Sequence, residues 1–245
     1  MAEQEIAKHT KNVIRLFGHG EHGWRHKLGE VALEIITIVF AVSLSIWLHG
    51  LGEHRHEQEQ VRTFLLGLRH DIGSDIRLIN SLDAAYRGFD ANFKYLSELD
   101  PKAAPDAQKF AAAYDGAMSN FFFSALTSRY QGFKSAGKLT NIENEILLDK
   151  VLMLYERAAE EIKWSEGGWR RSQELYLAYL ENGIDSDDSL ARHYQLVVAP
   201  KGKRLLRQQI AAPQLYERYG SYAALGNEII QEIEREYPAQ TRDKP

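Results

Sequence analysis

From Val31 to Leu51 the chain is apolar almost all the way round a helix, with only Glu34 breaking the run, and Ile35 to Gly52 holds no Asp, Glu, Lys or Arg. Taken as one helix, the 21 residues are roughly 31 Å long at ~1.5 Å per residue, close to the ~30 Å hydrocarbon core of a bilayer. A core helix of a soluble domain carries a polar stripe, and this segment has none after its first turn. The pattern therefore predicts a membrane span over 29–51 that stays in place as a signal-anchor, since no small-x-small cleavage site follows Leu51.

Beyond Gly52 the pattern changes. A charged stretch (EHRHEQEQVR) leads into apolar residues three or four apart: Val61, Leu65, Leu68, Ile72, Ile76, Ile79, Leu82, Tyr86, Phe89, Phe93 and Leu96. This is the periodicity of a long amphipathic helix over 52–100, one that packs in a bundle because Gly67, Gly73 and Gly88 weaken it as a free rod. Asp100-Pro101 and Pro105-Asp106 break it. Further helices are expected over 106–118, 121–136, 141–164, 166–182, 187–198, 201–211 and 214–237. Gly137 and Asn182-Gly183 mark C-termini and Pro213 a start. Period-2 alternation is absent, so the fold class is all-α: a span continuing into a long amphipathic helix, then a helical-bundle domain over 101–237 and a tail, 238–245.

The span and the helix after it are similar to a bacterial family. Gly29-Glu30 opening the apolar run, Trp47 near its end, the run SRYQGFKSAGKL from Ser128 to Leu139, NIENEILLDKVLMLY after it and the closing QLYERYGSYAALGNEIIQEIE together resemble a family of single-span membrane proteins of unknown function. The likeness covers most of the chain. Ser43, Ser45 and Ile46 stand where the family carries a Gln/Asn-rich end before the Trp. The resemblance implies membrane anchoring and a helical extramembrane domain, and no reaction.

Composition now divides by segment. The 245 residues carry a net charge of −4 and no cysteine. Disulfides, thiolate metal sites, a Cys nucleophile and iron–sulfur clusters are excluded, and a globally basic nucleic-acid binder has the wrong charge sign. Residues 1–28 carry five basic and three acidic groups, the 29–51 segment only Glu30 and Glu34, and the rest 25 basic and 29 acidic. Lys8, Lys11, Arg15, Arg25 and Lys27 before the span outnumber Arg55, Arg62 and Arg69 just after it. The positive-inside rule then places 1–28 in the cytoplasm and the helical domain in the periplasm of a bacterial inner membrane. Trp24 and Trp47 stand where interfacial anchors belong.

Candidate chemistry is sparse. Glu30 and Glu34, with Thr37, Ala41 and Ser45, share one face of the span, where the small residues let a partner helix approach closely and acids near hydrocarbon mark contacts. His9, His19, His22, His26, His49, His54, His56 and His70 flank the span and read as interfacial groups before they read as metal ligands. Gly18-His19-Gly20-Glu21-His22-Gly23 fits G-x-G-x-x-G, but no strand precedes it, so it reads as a juxtamembrane hinge. Asp185, Asp187 and Asp188 read as turn and cap residues. Lys201, Lys203, Arg204 and Arg207 read as a solvated face, and Phe121, Phe122, Phe123, Tyr130 and Phe133 as bundle core. No hydrolase, NTPase or zincin motif occurs. The expected function is a non-enzymatic, cofactor-free accessory subunit packing against other membrane proteins or itself, in a respiratory or photosynthetic assembly. The alternative is a periplasmic helical module that senses a ligand or peptide and acts through a separate partner.

Overall fold

The computed structural model describes residues 24–184 and 189–238, with side chains from Gly29 onward. Among them every regular element is helical. The elements are α1 (Trp24–Glu98), α2 (Ala107–Met118), α3 (Ser128–Ser135), a 3-10 turn (Lys138–Asn141), α4 (Glu145–Leu152), a π-helical turn (Met153–Ala158), α5 (Ala159–Gly183), α6 (Leu190–Val198), α7 (Pro200–Gln209) and α8 (Pro213–Glu236). The chain divides into two compact units, with the boundary between Glu59 and Gln60 inside α1.

In the first unit, no residue of the most apolar 18-residue window is buried. Twelve large apolar side chains between Leu33 and Leu51 are 37–69% exposed. Fully burying such a side chain is worth ~1.5–3 kcal/mol, so half of that for twelve of them leaves roughly 10 kcal/mol of unrealised burial on this one stretch.

The second unit has a continuous core. From Val61 to Leu96 the buried positions of α1 are Val61, Phe64, Leu65, Leu68, Ile72, Asp75, Ile79, Leu82, Tyr86, Phe89, Phe93 and Leu96, the helical repeat read from the sequence with an acid in one apolar slot. Helix starts follow capping chemistry: Asp106 accepts the Gln108 and Lys109 amides, Asn144 the Leu147 amide and Ser189 the Arg192 amide, while Pro200 and Pro213 occupy first-turn positions. Gly137 takes φ 70°, which a side chain would strain, and so ends the turn after α3. At the α6–α7 corner a Cβ on Gly202 would stand 2.0 Å from the Leu196 carbonyl oxygen, so only glycine fits.

Several expectations need correction. The helix expected over 121–136 begins at Ser128, and 119–127 is non-helical. Two of its amides, those of Phe123 and Leu126, are taken by side-chain acceptors from other helices, in place of the bonds a helix would supply. The aromatic cluster is consequently split: Tyr130 is buried, Phe122, Phe123 and Phe133 are half-buried, and Phe121 is 56% exposed. The break expected near 165 is absent too, because Glu145–Gly183 runs on through the π turn and α5. Glu166-Gly167-Gly168 stays helical because Glu166 and Trp169 are core residues that hold the turn in place. The helix expected from 187 starts at Leu190, after its Ser189 cap. The cluster Asp185, Asp187 and Asp188, the glycine-rich hinge and His9, His19, His22 and His26 lie outside the residues whose side chains are described.

A candidate groove and its buried carboxylate supports

The apolar helix face places its expected residues as the helical repeat requires. At 100° per residue Glu30, Glu34, Thr37, Ala41 and Ser45 fall within an arc of about 80°. All five are exposed. The Thr37 hydroxyl donates to the Leu33 carbonyl at 2.8 Å, so the ridge presents no unsatisfied hydroxyl there. Trp47 is 61% exposed, and the Trp24 side chain lies outside the described set. Among the described residues no three His, Asp or Glu side chains converge as a metal-binding group. His49 approaches Glu53 at 3.4 Å on the helix surface.

The second unit holds an arrangement that reading the sequence missed. Segment 119–127 crosses the bundle without helical hydrogen bonds and is held by four side chains. The Phe123 amide donates to both carboxylate oxygens of Glu166 at 3.0 Å, and the Leu126 amide to both of Asp75 at 3.1 and 3.2 Å. The Tyr86 hydroxyl donates to the Phe121 carbonyl at 3.1 Å, and Gln173 Nε2 to that of Ser119 at 3.4 Å. Buried backbone amides need such acceptors, and an extended segment among helices finds them only in side chains.

Helix α8 completes each acid's shell. Tyr219 donates to Glu166 at 2.6 Å, Tyr222 to Asp75 at 3.0 Å and Tyr216 to Asp90 at 2.6 Å, and Asp90 also accepts the Ala211 amide at 2.8 Å. Three tyrosines spaced three apart thus meet three acids from α1 and α5. Desolvation pushes the carboxyls of Asp75, Asp90 and Glu166 above their ordinary range, against the pull of these same hydrogen bonds toward ionisation. Burial and the adjacent acids push the Tyr219 and Tyr222 hydroxyls far up, so both remain donors. The signal available in sequence was positional: Asp75 sits three after Ile72 and four before Ile79, inside the apolar stripe.

Between segment 122–131 and the turns from Tyr155 to Arg171 lies an open groove of about 900 Å³. One wall is the clamped non-helical segment, and part of the other is the π turn, a distortion frequent at functional sites. Trp164 stands on the rim, 77% exposed. The lining acids are committed within the protein. Glu156 accepts from Lys134 at 2.6 Å and Tyr130 at 2.7 Å, which holds its carboxyl below the ordinary range, Lys134 contributing most. Glu160 pairs with Lys163 at 3.2 Å, and Glu166 is engaged as described. Arg170 lies over the Phe122 ring at 4.0 Å and acts on Glu166 at longer range. Among the described residues neither Arg170 nor Arg171 makes an ion pair with a carboxylate.

Compared with known proteins, the chain matches no family model, no curated protein and no solved structure.

Proposed function

We propose that the chain is a single-pass protein of the bacterial inner membrane, a non-enzymatic accessory subunit that packs against other membrane proteins through the Glu30–Ser45 face. The observation that carries this reading is that no residue of the apolar window in the first unit is buried: a surface of that size needs lipid or another apolar surface around it. The small residues Ala41 and Ser45 and the internally bonded Thr37 suit close helix approach in lipid, where packing rather than hydrophobic burial drives association. The excess of basic residues before the span supports a cytoplasmic N-terminus and a periplasmic helical domain.

The tests are direct. After alkaline carbonate extraction the chain stays with the membrane pellet. Val39→Arg, which puts a charge at the middle of the span at a penalty of ~2.5–3.5 kcal/mol, releases a large share of it. Because the chain has no cysteine, single substitutions report topology without background: Asn12→Cys stays protected from a membrane-impermeant maleimide in intact spheroplasts, and Lys102→Cys is labelled. Purification in mild detergent yields a complex larger than the monomer, and Ala41→Leu, which fills the ridge, reduces it. A free monomer under every mild condition would overturn the accessory-subunit reading, and extraction by carbonate would overturn the membrane reading.

A further inference from the structure

The groove beside Trp164 has a charge pattern that names a class of ligand. Of its ionisable lining groups, Glu156, Glu160 and Lys163 are paired with one another or with Lys134, and Glu166 is buried under the Phe123 amide and Tyr219. Among the described residues Arg170 and Arg171 make no ion pair; Arg170 lies over the Phe122 ring and acts on Glu166 at longer range, which leaves the Arg171 guanidinium as the lining charge most open to an entering anion. Next to them the Trp164 ring is 77% exposed, an unusual surface position for an indole. An open groove of about 900 Å³ lies within the size range of small-molecule sites, and its lining combines aromatic rings with charged and polar side chains.

The walls are also built rather than incidental. Among the described residues, where every regular element is helical, one side of the groove is a non-helical segment fixed by two buried carboxylates and the other includes a π-helical turn. Holding segment 122–127 off the helical path commits Asp75, Glu166, Tyr219 and Tyr222 to a polar network inside the core, where an apolar helix would need none. We propose that this groove binds a small amphiphilic anion, a carboxylate or phosphate group carried on an aromatic or aliphatic body, with Arg171 and Arg170 on the anionic group and Trp164 against the apolar part. A guanidinium engages planar oxyanions through paired N–H donors, and an exposed indole gives a flat apolar face. The inference is independent of how the first unit is anchored.

The test uses the full chain labelled with 5-fluorotryptophan in nanodiscs of zwitterionic phosphatidylcholine. Trp164→Phe assigns the Trp164 fluorine resonance among the four tryptophans. Titration with 1-naphthoate shifts that resonance saturably, and the neutral isostere 1-naphthamide binds about tenfold more weakly, the worth of one charge-assisted contact. Arg171→Gln removes most of that preference and Arg171→Lys restores part of it, whereas Arg157→Gln, whose parent is paired with Glu161 at 2.9 Å, leaves it intact. The Trp169 resonance, from a ring 6% exposed in the core, reports that each variant is folded. No saturable shift, equal binding of naphthoate and naphthamide, or a preference that survives Arg171→Gln in a folded chain would each overturn the proposal. So would a Trp164 shift caused only by adding phosphatidylglycerol to the nanodisc, since the indole would then be reading a membrane surface.

Discussion

Replacing Glu166 by Leu removes the acceptor of two buried donors. The carboxylate is 2% exposed and takes the Phe123 amide at 3.0 Å on each oxygen and the Tyr219 hydroxyl at 2.6 Å. Each buried donor left without an acceptor costs about 1–3 kcal/mol, so the gross loss is about 2–6 kcal/mol. Removing the desolvated carboxyl returns part of it, leaving an expected net loss of about 2–4 kcal/mol. In a unit running from Gln60 to Pro245 this lowers Tm by roughly 5–15 °C. Glu166→Gln keeps one acceptor oxygen and loses less than half as much. Tyr219→Phe costs about 1 kcal/mol alone, and combined with Glu166→Leu it costs less than the sum by about 1–2 kcal/mol, because the hydroxyl that Leu would orphan is already gone. The assay is chemical and thermal unfolding of the parent and the four variants followed by far-UV circular dichroism. A Glu166→Leu protein within about 0.5 kcal/mol of the parent, or strict additivity in the double variant, would refute the view that this carboxylate holds segment 119–127.

Other outcomes follow from the same structure. Folding raises the carboxyl pKa of Asp75 from its ordinary 3.8 and of Glu166 from 4.5, so the folded chain binds these protons more tightly. Their stabilising contribution is full below the ordinary values and is lost as pH rises through the raised ones; in thermal scans from about pH 4 to 8, Asp75→Asn flattens that fall relative to the parent. Gly202→Ala sets a Cβ 2.0 Å from the Leu196 carbonyl oxygen and 2.9 Å from that of Val197. The α6–α7 corner must open, lowering stability by about 1–3 kcal/mol or more in urea unfolding. Asp90→Ala orphans the Ala211 amide and the Tyr216 hydroxyl, and faster exchange of the Ala211 amide hydrogen distinguishes local release from global loss.

The repeat of three and four made α1 legible from Val61 to Leu96, because burial on one face of a helix writes itself into every turn. Helix ends were legible for the same local reason: Gly137 and Pro213 act on their immediate neighbours, and Pro105-Asp106 marked a break that the structure resolves as the Asp106 cap. The non-helical course of Phe121–Leu126 was not, since its bonds come from Asp75 and Glu166, 51 and 43 residues away in sequence. A run of three phenylalanines has no local reason to leave a helix, and only the distant acceptors supply one. Continuity through Gly167-Gly168 failed by the same logic, with Glu166 and Trp169 in the core overriding the weak helix propensity of glycine. The groove was not legible at all: Trp164, Arg170 and Arg171 stand in an ordinary amphipathic stretch, and only the fold brings segment 122–127 against them.

The tyrosine row on α8 also sets an order of events in time. Tyr222 is 147 residues downstream of Asp75, and Tyr216 is 126 downstream of Asp90. At ~5–20 residues per second, Asp75 leaves the ribosome roughly 7–30 s before the hydroxyl that completes its shell. During that interval two desolvation-prone carboxylates on α1 have no buried partner from the last helix, and segment 119–127 has only part of its support. The polar network around these acids can therefore be completed only after α8 has emerged. A chain stalled or cut before Tyr216 would expose that unfinished interior to quality-control proteases, so α8 serves as the completion mark of the molecule.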